Sequence, residues 1–169
     1  IMSKVGMSKN IFEVFVFFIG KFTAGKPCAV IVTCLFYGAI SGSGPATVAA
    51  VGSMTIPILI KLGYDKVFAT SIVAVAGGLG VIIPPSIPFI MFGMASGESV
   101  SNLFIAGIVP GILIGLLLMA YAVFYCRTHG EDKEKIRKEV DELHEKGFFG
   151  VFKDSFFAIL SPVIILGCI

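Results

Sequence analysis

Between Lys26 and Lys61 the chain carries no Asp, Glu, Lys, Arg or His, and the middle of that run reads Ser41-Gly42-Ser43-Gly44-Pro45. A single membrane span needs about 20 apolar residues, and this run is well beyond that. Its glycines and proline sit where one long helix would have to break. Two helices fit better, about Pro27–Ser41 and about Pro45–Ile60. At 1.5 Å per residue each reaches roughly 22 Å, short of a hydrocarbon core of roughly 30 Å. Two arms that meet inside the membrane must return to the side they came from, which describes a re-entrant hairpin. Lys21 and Lys26 precede the run, and Lys61 and Lys66 follow it. The positive-inside rule places both mouths in the cytoplasm, where one continuous span would put the lysine pairs on opposite sides.

The rest of the chain reads on the same terms. Hydrophobic residues make up 56% of it and charged residues 14%, a balance that points to lipid as the solvent. A net charge of +2 is too small to suggest nucleic acid. After Lys66 no Lys or Arg appears until Arg127, and Glu98 divides the interval. This predicts a crossing outward, a turn at Ser96-Gly97-Glu98-Ser99, and a crossing back. Pro84-Pro85-Ser86-Ile87-Pro88, preceded by Gly77-Gly78 and Gly80, interrupts the outward crossing. Each proline removes a helical donor and crowds the preceding turn. The return crossing carries Pro110-Gly111, a milder kink. Asn10–Gly20, rich in Phe and flanked by Lys9 and Lys21, suits a helix lying at the membrane surface.

The expected organisation is therefore 1–26 interfacial helix and connector, 27–61 re-entrant hairpin, 62–97 broken transmembrane helix and 98–127 transmembrane helix. A charged cytoplasmic connector (128–148) follows, with Glu131/Lys135 and Glu134/Lys138 at i,i+4 spacing, then 149–169 as the start of another span bent at Pro162. The fold class is an all-α polytopic membrane protein with a re-entrant helical hairpin and a discontinuous transmembrane helix. The chain starts at Ile1 without a signal-peptide pattern and stops at Ile169 inside an apolar run, so we read it as an excerpt of a longer protein.

Helix breaks at membrane depth survive only where protein, water or ligand completes the exposed backbone groups. Carbonyls and serine hydroxyls at a helix C-terminus suit a hard monovalent cation, and amides at an N-terminus suit a carboxylate. The candidate cation ligands are the Ser41 and Ser43 oxygens with backbone carbonyls near Gly80, Ile83 and Pro85. Pro45 fits the first turn of the returning arm with Ser43 or Gly44 capping, and Ser86 is placed to cap the second half of the broken crossing. Gly44, Ala46, Thr47 and Ser86 are the candidate substrate-binding residues.

An intramembrane serine protease would need Gly-x-Ser-Gly and a buried His. Ala39 and Ser41 stand two residues before Ser41 and Ser43, and His129 and His144 lie in the charged stretch, so no catalytic residue is assigned. Cys28, Cys34, Cys126 and Cys168 form no CxxC pair and read as packing residues, with no metal site beyond the monovalent cation.

At these motifs the sequence resembles the large, DctM-like membrane subunit of tripartite ATP-independent periplasmic (TRAP) transporters. The resemblance runs through Gly38-Ala39-Ile40-Ser41-Gly42-Ser43, Ala49-Ala50-Val51-Gly52-Ser53, Ile56-Pro57 and Lys61-Leu62-Gly63-Tyr64-Asp65. It continues through Ile82-Ile83-Pro84-Pro85-Ser86-Ile87-Pro88, Leu103 to Gly111, and Pro162 to Gly167. It implies the N-terminal half of an elevator-type permease of the bacterial inner membrane, one of two inverted repeats. Such a protein imports an organic acid, a C4-dicarboxylate or sialic acid among them, coupled to Na+. It works with a small membrane subunit and a periplasmic substrate-binding protein. By the same resemblance, Ser41, Ser43, Gly80, Ile83 and Pro85 would hold sodium. Another sodium- or proton-coupled anion symporter of related architecture, acting without a binding protein, is the alternative.

Overall fold

A computed structural model describes residues 7–20 and 24–129, with side chains from residue 11 onward. The charged connector and the final span predicted over 130–169, with His144, Pro162 and Cys168, lie outside the described residues, as does Lys21. Six helices and no strand occur among the described residues: α1 (Met7–Ile19), α2 (Gly25–Ser41), α3 (Gly44–Lys61), α4 (Lys66–Leu79), α5 (Ile87–Ser96) and α6 (Val100–His129).

α2 is the organising element and packs against α1, α3, α4 and α6. Ala29, Val30, Ile31 and Cys34 on it are fully buried. α2 and α3 are joined by Gly42 and Ser43 alone, so they form the expected helical hairpin. Gly42 takes φ 62°, a left-handed cap that lets its N–H reach the Gly38 carbonyl at 2.7 Å and ends α2. Each arm runs slightly longer than expected, from Gly25 rather than Pro27 and to Lys61 rather than Ile60. At 18 residues, about 27 Å, α3 exceeds the roughly 22 Å expected of each arm and, like the 30-residue α6, is long and apolar enough to cross a membrane.

Lys61 and Lys66 flank the turn after α3. Gly63 at φ 92° allows Tyr64 N–H to bond the Leu59 carbonyl at 3.1 Å, a Schellman-type ending. The Asp65 carboxylate accepts from Val67 and Phe68 N–H at 3.0 and 3.1 Å and starts α4. α4 ends at Leu79, and α5 restarts after Ser86, the interruption expected from the prolines. α5 ends at Gly97 with φ 74°, and α6 begins three residues later, which puts the turn at Ser96–Ser99 as expected. α6 continues through Pro110 as one helix and is helical to the last described residue, His129, past the predicted limit at 127.

α1 packs closely against the hairpin's base. α1 buries Ile11, Phe12, Val14 and Val16 and sets Phe15 edge-on to Phe36 of α2 at 5.8 Å. Lys26, at the hairpin's mouth, is only 1% exposed. α1 seats closely on the first turn of α2, where a methyl on Gly25 would collide with the Ile19 carbonyl and lie 2.8 Å from Gly20 Cα.

Candidate functional site

Four helix ends meet at one place. The end of α2 faces the end of α4: Gly38 approaches Gly80 so closely that a Cβ on Gly38 would lie 2.6 Å from the Gly80 carbonyl carbon and oxygen. The cap of α2 faces the start of α5, since a Cβ on Gly42 would lie 3.1 Å from the Pro85 oxygen and 3.6 Å from the Ile87 nitrogen. The start of α3 faces the end of α4, where a Cβ on Gly44 would lie 2.9 Å from Val81 Cγ2 and 3.4 Å from the Gly77 oxygen. Glycine is needed at Gly38 because the approach is backbone to backbone, which no rotamer change can relieve.

The break's free oxygens follow from the prolines. A helical carbonyl is satisfied by the N–H four residues on. Pro84 and Pro85 have none, so the carbonyls of Gly80 and Val81 have no helical donor. Before that point the ladder still closes, with Gly80 N–H on Ala76 O at 3.1 Å and Ile82 N–H on Leu79 O at 2.9 Å. Val81 is a candidate ligand that the sequence reading passed over; the spacing to Pro85 was the available signal.

At the tip, the Ser41 hydroxyl lies 3.0 Å from Thr47 Oγ1 and 3.2 Å from the Ser43 carbonyl, and accepts from Ser43 N–H at 3.3 Å. Thr47 is fully buried, and its hydroxyl donates to the Ser43 carbonyl at 2.9 Å. The Thr47 amide reaches the same carbonyl at 3.0 Å. Thr47 thus braces the tip, a role its sequence position six residues beyond Ser41 did not announce. Ser43 sits at the N-cap position of α3, yet its side chain accepts no bond from that helix. Pro45 follows in the first turn without an N–H, so the Gly44 and Ala46 amides are not consumed by a side-chain cap. Ser86 does cap: it is fully buried, and Oγ accepts from Phe89 N–H at 3.4 Å.

The structure therefore gathers Ser41, Ser43, Gly44, Thr47, Gly80 and Pro85 around one junction. Ala46 is exposed beside it. Ile83 turns its side chain to α6, within 3.1 Å of where a Cβ on Gly111 would stand. Two negative helix ends, α2 and α4, and two positive ends, α3 and α5, are brought together. Hydroxyl and carbonyl oxygens at the first pair fit a hard monovalent cation. Among the described residues no group of three or more His, Cys, Asp or Glu is placed to hold a metal ion.

Residues 1–169 match the family described as tripartite ATP-independent periplasmic transporter, DctM component. The chain is 44% identical over 98% of its length to the isethionate TRAP transporter permease protein DctMQ of Oleidesulfovibrio alaskensis, covering 25% of that protein. It is 36% identical over 98% of its length to the C4-dicarboxylate TRAP transporter large permease protein DctM of Vibrio cholerae, covering 35% of it. With the ectoine TRAP transporter large permease protein TeaC of Halomonas elongata it shares 36% identity over 79% of its length, covering 31% of that relative. The chain thus spans about a quarter to a third of these relatives.

Proposed function

The chain belongs to the DctM component family of tripartite ATP-independent periplasmic transporters, and from that premise we propose that the junction is one half of a sodium-coupled site for a small organic acid. The observation that carries this reading is the meeting of four helix ends at Gly38–Gly80, Gly42–Pro85 and Gly44–Gly77. Ser41 Oγ and the carbonyls of Gly80, Val81 and Pro85 would hold the cation. Bound sodium supplies a positive charge that a neighbouring organic anion can share. The Gly44 and Ala46 amides, at the positive end of α3, would take the carboxylate or sulfonate. Thr47 and Ser86 act behind them, holding the tip and the start of α5.

In this reading the hairpin is re-entrant and its tip lies at membrane depth, where irregular backbone is tolerated because it lines a site. The names of the relatives, which specify isethionate, C4-dicarboxylates and ectoine, support a small charged organic substrate without choosing among them. Partners in the whole protein are a small membrane subunit and a periplasmic substrate-binding protein. The tip and the break, packed backbone to backbone, move together as a unit in an elevator step across the bacterial inner membrane.

The test is uptake into proteoliposomes by the intact permease with its partners. An inward sodium gradient should drive accumulation, and collapsing that gradient or omitting the binding protein should stop it. Uptake indifferent to sodium would overturn the coupling.

A further inference from the structure

A second hollow lies between α4 and α6, apart from the junction. Val67, Phe68, Ser71, Ile72 and Val75 recur at helical spacing on α4, and Leu118, Tyr121 and Tyr125 do so on α6. Together with Asp65 they line a cavity of about 190 Å³. Tyr64, Phe68, Tyr125 and His129 form a column with successive ring centroids 6.1, 3.9 and 4.1 Å apart. Both faces of Tyr125 are thereby covered, so the column is a wall. Tyr121, 6.3 Å from Tyr125, is 54% exposed, and Asp65 is exposed at the rim.

The same column fixes where the cavity sits. It brings the α3–α4 turn, with Lys61 and Lys66, beside the last turn of α6, with Arg127 and His129. That end is basic, which places it at the cytoplasmic face, and tyrosines favour the headgroup level. From Asp65 the cavity runs toward Val75, about 15 Å along α4, so one end is acidic and aromatic and the other is aliphatic. Its volume is below the roughly 300 Å³ at which pockets for drug-sized ligands begin, so it suits a group of few heavy atoms. A carboxylate beside an open tyrosine ring and two phenol oxygens attracts a cation. Lys66 and Arg127 at the same end suit a phosphate next to it.

We propose that this cavity seats the ethanolamine headgroup of a membrane phospholipid, with its ammonium on Asp65 and Tyr121 and its acyl chains along the α4–α6 groove. A primary ammonium offers three N–H donors to the carboxylate and the hydroxyls. Choline offers none, and glycerol headgroups carry no cation.

Native mass spectrometry of the intact permease, released from bilayers of equal phosphatidylethanolamine, phosphatidylcholine and phosphatidylglycerol, tests the assignment. The wild type should retain phosphatidylethanolamine in preference to the other two. Asp65→Asn keeps the α4 cap, because Asn accepts the same amides, and removes the charge. It should lower that retention by about tenfold or more, the scale of one hydrogen bond to a charged group. Tyr121→Leu should lower it as well, with phosphatidylglycerol unaffected. Equal retention of all three lipids, or wild-type retention in both variants, overturns the proposal, and selective retention of phosphatidylglycerol does so too. No transport is measured, so failure here leaves the junction's reading standing.

Discussion

Gly38→Ala is the perturbation that loads the junction most directly. The added Cβ would lie 2.6 Å from the carbonyl carbon and oxygen of Gly80, whereas non-bonded carbon contacts settle near 3.5–4.0 Å. Both partners are backbone, so α2 and the break must part by about 1 Å. Overpacking of this kind costs about 1–3 kcal/mol. The effect on ion binding should be disproportionate, because ligand distances in a metal site tolerate shifts of only about 0.2 Å. Gly78→Ala is the matched control: it lies two residues from Gly80, and a Cβ there meets nothing within 4 Å. In proteoliposomes, Gly38→Ala should raise the sodium concentration for half-maximal uptake by about tenfold or more, equivalent to about 1.4 kcal/mol. Gly78→Ala should keep the wild-type response, with unchanged or slightly higher thermal stability. A Gly38→Ala permease with wild-type stability and wild-type sodium dependence would refute the reasoning.

Thr47→Val removes the hydroxyl that braces the Ser43 carbonyl while keeping the side-chain shape, and should cost about 1 kcal/mol in thermal unfolding, with Thr47→Ser largely restoring it. Asp65→Ala should lower stability by about 1 kcal/mol through loss of the α4 cap, while Asp65→Asn loses much less; the difference between their melting temperatures reads this directly. Gly77→Ala collides with the Val48 side chain, so Val48→Ala in the same chain should recover much of the lost stability, visible as a favourable coupling in a double-mutant cycle.

Local chemistry made much of this architecture legible. Gly42, Gly44 and Pro45 announced the hairpin because a left-handed cap and an early-helix proline have few substitutes. Pro84, Pro85 and Pro88 announced the break because a missing N–H cannot be supplied by context. Gly97 marked a turn by the same kind of local rule. The tip and the break were expected to share one cation, but the individual contacts between distant segments were not legible. No periodicity in α2 or α4 shows that Gly38 meets Gly80, and nothing near Lys26 signals that it is buried. The bonds of the Thr47 hydroxyl to Ser41 and Ser43 were not legible either, because its rotation about α3 was not known. The cavity at Asp65 depends on the register between α4 and α6, to which the Phe68–Tyr125 stack at 3.9 Å belongs.

Ligand-linked stability offers the most direct reading of the central claim, that the junction binds sodium. Binding to the folded state alone stabilises it in proportion to RT ln(1 + [L]/Kd). The melting temperature of the intact permease should rise progressively with sodium and stay flat with equal potassium. Ser41→Ala and Gly38→Ala should flatten the sodium response, and Gly78→Ala should keep it. A wild-type melting temperature that responds equally to sodium and potassium, or a Ser41→Ala response identical to wild type, would contradict the account.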